Sequence, residues 1–112
     1  MIARSLLLAA CLFAATGIAH GQGNVENGKQ KSQPCQACHG ADGNTTTDGQ
    51  YPRIAGQYAD YLAKSMRDYK TGARKNAIMA GFVTTLTDQD IEDLAAYYAA
   101  QQGDLTDLSH LK

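Results

Sequence analysis

Residues 35 to 40 read Cys-Gln-Ala-Cys-His-Gly, placing two of the chain's three cysteines and one of its three histidines within six positions. This cluster limits the fold more than any other stretch, because each chemistry open to it demands a different scaffold. A structural disulfide across two intervening residues closes a tiny loop and removes little unfolded-state entropy, so it would be a poor staple for a small domain. A catalytic dithiol sits at the start of a helix that follows a strand, and no β-branched run precedes Cys35. Zinc takes four ligands, yet no second Cys or His pair follows His39, and His110 stands alone in the tail.

One chemistry uses all three residues. On a helical turn, positions i and i+3 share a face, so the thiols of Cys35 and Cys38 can reach two vinyl groups on one edge of a porphyrin. His39 follows immediately and can turn its imidazole under the ring to bind the iron. Cys-x-x-Cys-His is the attachment signature of c-type haem, so one covalently held haem c with its iron is the cofactor this stretch predicts.

The second axial position then separates an electron carrier from a haem enzyme. A methionine thioether there saturates the iron and raises its potential, whereas an exchangeable site admits external ligands. Beyond Met1, the chain offers Met66 and Met79. Met66 lies on the stripe Tyr58, Tyr61, Leu62, Met66, Tyr69, at three- and four-residue steps, which is the apolar face of a helix ending at Gly72. Met66 is therefore expected in the core. Met79 falls in a stretch without clean period between two predicted helices, and is expected as a loop-borne axial ligand.

The remaining segments predict helices and wrapping loops. Asn24 to Gln33 reads as a first helix capped by Asn24, with Pro34 marking its end or bend. Gly40 to Gly56 is rich in Gly, Asp, Asn and Thr, and a loop so long in a small domain is expected to serve a function, here enclosing a haem edge. Thr87 caps a final helix whose early acids Asp88, Asp90, Glu92 and Asp93 suit its positive end and are expected in solvent. Ile91, Leu94, Ala95 and Tyr98 share its inner face, and Gly103 offers a stop. An all-α domain of three main helices plus short turns is the expected fold.

Export fits the amino terminus. Arg4 precedes an apolar run from Leu6 to Ala15, and small residues follow at Ala19 and Gly21, the pattern of a secretory signal peptide over residues 1–21. The run is shorter than the roughly 20 apolar residues a membrane span needs. Leu8 to Cys11 also matches a lipoprotein box, which would make Cys11 a lipid anchor, although the apolar run continues past it. Removing the leader takes Arg4 from ten basic residues set against eleven acidic ones, leaving a net charge of −2 on residues 22–112. Nucleic acid is excluded as a partner on that balance, since phosphate binding requires a basic face.

Four segments in order, CQACHGADGN, YPRIAGQ, GARKNAIM and LTDQDIEDLAAYYAAQ, resemble the class I cytochromes c, and among them the short bacterial periplasmic type related to cytochrome c4. The resemblance covers nearly all of residues 22–112. It implies a class I cytochrome c fold around one haem, with Cys35 and Cys38 forming thioethers, His39 as proximal ligand and Met79 as distal ligand. It further implies that the Pro52 carbonyl accepts the second ring N–H of His39, and that Gly28 and Tyr97 mark the crossing of the first and last helices. Arg53, Gln57 and Asn76 are candidates for holding the haem propionates. Cytochrome c4 proper carries two haem domains, whereas this sequence has one.

The function so implied is a periplasmic single-electron shuttle and not an enzyme. Its partners would be a donor dehydrogenase or cytochrome complex and an acceptor oxidase or reductase of a respiratory chain, with membranes met only through those partners or the possible anchor. The alternatives are a haem enzyme or gas-binding cytochrome whose distal ligand exchanges, and an exported metal- or thiol-binding module without haem.

Overall fold

The computed structural model describes residues 22 to 105. The expected leader over residues 1–21, with Cys11, and residues 106 to 112, with His110, lie outside them. Five α-helices and no strand occur among the described residues: α1 Val25–Lys31, α2 Gln33–His39, α3 Ala59–Thr71, α4 Ala77–Val83 and α5 Asp88–Ala99. None is long and apolar enough to cross a membrane.

The first helix begins as the sequence suggests, with the Asn24 side-chain oxygen accepting the Asn27 N–H at 2.9 Å. It stops at Ser32, earlier than expected. The Ser32 hydroxyl turns back to donate to the Lys29 carbonyl at 2.7 Å. Pro34 therefore opens α2 and does not close α1, a position where its missing N–H would have no helical partner anyway. Cys35, Cys38 and His39 consequently ride on α2 itself.

The long segment after α2 is laced together from within. Gly40, at φ 83°, makes a turn in which any side chain would collide, since a Cβ there would stand 2.1 Å from the Thr45 carbonyl oxygen. The Asp42 carboxylate accepts the N–H groups of Asn44 and Thr45 at 2.8 and 2.9 Å. The Gly43 carbonyl accepts those of Ile54 and Ala55 at 2.8 and 3.0 Å. A segment with no helical period thus acquires a fixed path from turn chemistry.

Helix α3 ends at Gly72 in the left-handed conformation, as read from the sequence. Helix α5 begins in a complete capping box: the Thr87 hydroxyl accepts the Asp90 N–H at 3.1 Å and the Asp90 carboxylate accepts the Thr87 N–H at 2.9 Å. It ends at Ala100, ahead of Gly103. Helix α4 corrects an expectation, because Met79 lies in helix and not in a loop. The Asn76 side chain caps that helix by accepting the Met79 N–H at 3.0 Å.

Helix α5 is the centre of the packing, meeting α1 on one side and α3 on another. Its Ile91, Leu94, Ala95, Tyr97 and Tyr98 are buried with Leu62 and Ala63 of α3. The α1–α5 crossing is so close that a Cβ on Gly28 would lie 2.7 Å from the Tyr97 Cβ. Asp93 departs from the solvated role expected of the early α5 acids, being fully buried at this crossing. There it accepts from the Asn24 N–H at 2.8 Å, the Gln89 amide at 2.8 Å and the Lys31 ammonium at 3.2 Å. Burial alone would raise its pKa, but these donors together hold it below the ordinary carboxylate value. Lys31 also pairs with Asp90.

Candidate functional site

One cavity of about 450 Å³ opens between the helices, a volume within the roughly 300–1,000 Å³ typical of cofactor pockets. All five helices contribute to its wall: Lys31 from the end of α1, Cys35, Cys38 and His39 from α2, Met66 from α3, Met79 from α4 and Tyr98 from α5. The four residues singled out from the sequence are therefore brought to one space.

His39 is held in a defined orientation. It is buried, and its Nδ1 lies 2.8 Å from the carbonyl oxygen of Pro52, which can only accept. Nδ1–H is then the donor, and the lone pair belongs to Nε2. The carbonyl fixes tautomer and ring plane and makes the imidazole a stronger ligand. Because Pro52 sits at the end of the laced loop, that loop positions the histidine from behind.

The thiols of Cys35 and Cys38 are not joined to each other. Burial pushes the Cys35 thiol above its usual pKa. A redox dithiol depends on a depressed one, so the site is ill suited to thiol exchange. The Tyr98 hydroxyl, on the cavity wall, is buried without a hydrogen-bond partner of good geometry among the described residues.

Both methionines reach the cavity, and their settings differ. Met66 packs against the buried cluster of α3 and α5, as its place on the helical stripe suggested. Met79 stands in the first turn of a short helix outside that cluster, anchored through its own N–H by Asn76.

The polar candidates also line the cavity, engaged in different ways. Arg53 donates from Nε to the Asn44 carbonyl at 3.1 Å and pairs with Asp104 at 3.4 Å. The Gln57 side-chain oxygen accepts the Tyr58 N–H at 2.9 Å. Sequence reasoning missed a further group on the rim. The Arg74 Nη1 lies 3.1 Å from the Ser65 hydroxyl and 3.5 Å from the Tyr61 hydroxyl, and its guanidinium carbon sits 5.0 Å from the centre of the Tyr69 ring. The guanidinium holds the Tyr61 phenol below its usual pKa. The sequence places Tyr61 and Tyr69 on the apolar stripe of α3, and only folding shows that the loop after Gly72 returns Arg74 to them.

Residues 25–100 match the family model for cytochrome c. The chain belongs to the cytochrome c family. This cytochrome is 47% identical over 98 residues to cytochrome c4 of Pseudomonas aeruginosa, a match covering 88% of this chain and 47% of that one. It is 41% identical over 83 residues to cytochrome c-554(548) of Halomonas halodenitrificans, covering 71% of this chain and 99% of the relative. The crystal structure of reduced recombinant cytochrome c4 from Pseudomonas stutzeri superimposes with a TM-score of 0.69 at 40% identity, over 74% of this chain and 48% of that one. The chain thus spans about half the length of the cytochromes c4 it matches.

The all-helical architecture is that of the class I cytochromes c. Family membership brings haem c and its iron, and the donor set fits that group. Two thiols share one helix at the i, i+3 spacing, an imidazole has one nitrogen committed and the other available, and the cavity has the size of a cofactor site.

Proposed function

We propose that this cytochrome is a periplasmic one-electron shuttle holding a single covalent haem c with His39 and Met79 as axial ligands. The observation that carries the reading is the 2.8 Å contact from His39 Nδ1 to the Pro52 carbonyl, at the wall of a cavity that Cys35, Cys38 and Met79 also line. The haem, when bound, supplies an iron that gains and loses one electron. Cys35 and Cys38 anchor it through thioethers. His39 presents Nε2 with its orientation set by the loop. Met79, held by the Asn76 cap, supplies a thioether that leaves no room for an external ligand.

The surrounding residues keep water out and leave a way in for electrons. Leu62, Val83 and Leu94 give the cavity a buried apolar wall, whereas Ile78 and Phe82, also at the cavity, are 56% and 44% exposed. Those two form the contact patch at which a donor dehydrogenase or cytochrome complex and an acceptor oxidase or reductase dock briefly. The match to cytochrome c-554(548), which takes in 99% of that relative's length, supports reading the matched residues as one haem domain, and we read residues 1–21 as the leader that exports it.

An optical spectrum with ligand challenge tests the function. A methionine-bound ferric haem gives a weak near-infrared sulfur-to-iron band, and the reduced protein ignores carbon monoxide. Rapid carbon monoxide binding by the native protein would instead make it a gas-binding or catalytic cytochrome, and a colourless product would leave a thiol module.

A further inference from the structure

Three cationic side chains line the cavity: Lys31, Arg53 and Arg74. Two are already neutralised. Lys31 is drawn to Asp90 and Asp93, and Arg53 to Asp104. Arg74 makes no ion pair among the described residues. The acid six residues before it, Asp68 in the last turn of α3, is taken by Lys64, and its backbone carbonyl accepts the Arg74 N–H at 3.0 Å.

Arg74 is nonetheless held in place by neutral groups: the hydroxyls of Ser65 and Tyr61 and the face of Tyr69. Fixing a long side chain costs rotamer entropy, and a scaffold of neutral groups offers the guanidinium no carboxylate in return. The planar guanidinium is also a fork suited to a carboxylate. A cation fixed on a cavity rim without a counter-ion has the form of an anion site.

Resting on the haem reading proposed above, the geometry points to Arg74, steadied by Tyr61 and Ser65, as the residue that binds a carboxylate of the haem. This transfers to Arg74 the task expected of Arg53, whose guanidinium is committed to Asp104 and the Asn44 carbonyl. Asn76 stands beside it on the same rim, with its oxygen engaged by the Met79 N–H and its amide nitrogen left as a donor. Arg74 is here a positioning residue, acting on where the cofactor sits and not on electron transfer itself.

Resonance Raman spectra of the haem-loaded protein test this, because the propionate bending band reports hydrogen bonding at the carboxylate. Arg74→Leu should shift the band, Arg74→Lys should return it part-way, and Arg53→Leu should leave it at the wild-type position. An unshifted band in Arg74→Leu, or a shift confined to Arg53→Leu, overturns the assignment. Should Arg74→Leu fail to fold, NMR of the unaltered protein decides: the Arg74 Nε–H should show slowed solvent exchange and a contact to the propionate methylenes, and a freely exchanging group overturns the proposal. A colourless wild type would remove the haem reading itself, whereas a normal haem spectrum with an unmoved band removes Arg74 alone.

Discussion

A methyl group on Gly28 would lie 2.0 Å from the Asp93 carbonyl oxygen, a distance no packing tolerates. Helix propensity favours alanine over glycine by about 1 kcal/mol, whereas overpacking costs about 1–3 kcal/mol or more, so steric conflict decides the sign. Gly28→Ala should lower the denaturant midpoint by the equivalent of about 2 kcal/mol; a raised midpoint would show that α1 and α5 do not meet there. The two methionines differ in kind. Met66→Ala should cost about 2–3 kcal/mol of stability through a cavity left in the core while keeping the near-infrared band. Met79→Ala should abolish that band and admit carbon monoxide, and the reverse pattern would exchange their roles. At this scale the cysteines and His39 were legible because each carries a chemical demand visible in the letters alone, whereas the close approach at Gly28 was expected only through the resemblance to the class I cytochromes c. Arg74 was not, since its meaning depends on Tyr61, Ser65 and Tyr69, which only the return of the chain after Gly72 brings beside it.

Helix α5 was the element most easily read, because its start signal is local: Thr87 and Asp90 cap each other within four residues. Thr87→Ala should destabilise the protein by about 1 kcal/mol, measured by chemical denaturation. Helix α4 was misread for the opposite reason. The stretch AIMAGFV is apolar on every side and contains glycine, so it has no periodic face, and the one available sign was a cap at Asn76. The α1–α5 junction also carries a pH dependence. Lys31 holds the Asp90 carboxyl down to about 2, against 3.8 when unfolded. A depressed carboxylate pKa contributes stability that is complete above the unfolded value and is lost as pH falls from 3.8 through about 2. Asp93 acts in the same direction. Urea midpoints should therefore fall across that window, and less steeply in Lys31→Met; equal slopes would show that the pair contributes nothing.

At the scale of the molecule, the buried side chains form only a modest cluster, and the cavity interrupts it between α2, α3 and α5. A domain this small buries a limited share of its surface, so the cofactor completes the interior. Replacing both Cys35 and Cys38 with serine should yield a chain that loses haem under denaturing conditions and lacks a cooperative thermal transition by circular dichroism; a sharp transition without haem would mean the helices suffice. The class of fold was legible because helix periods and caps are local, whereas the cavity's shape arises from contacts distant in sequence. The crossing of α1 with α5 joins the first described helix to the last. Thiols and imidazole therefore precede in the chain the segment that shuts them in, so the cradle closes only when the two ends of the domain meet. A polypeptide cut short ahead of Thr87 would keep every atom needed for attachment and lack the lid.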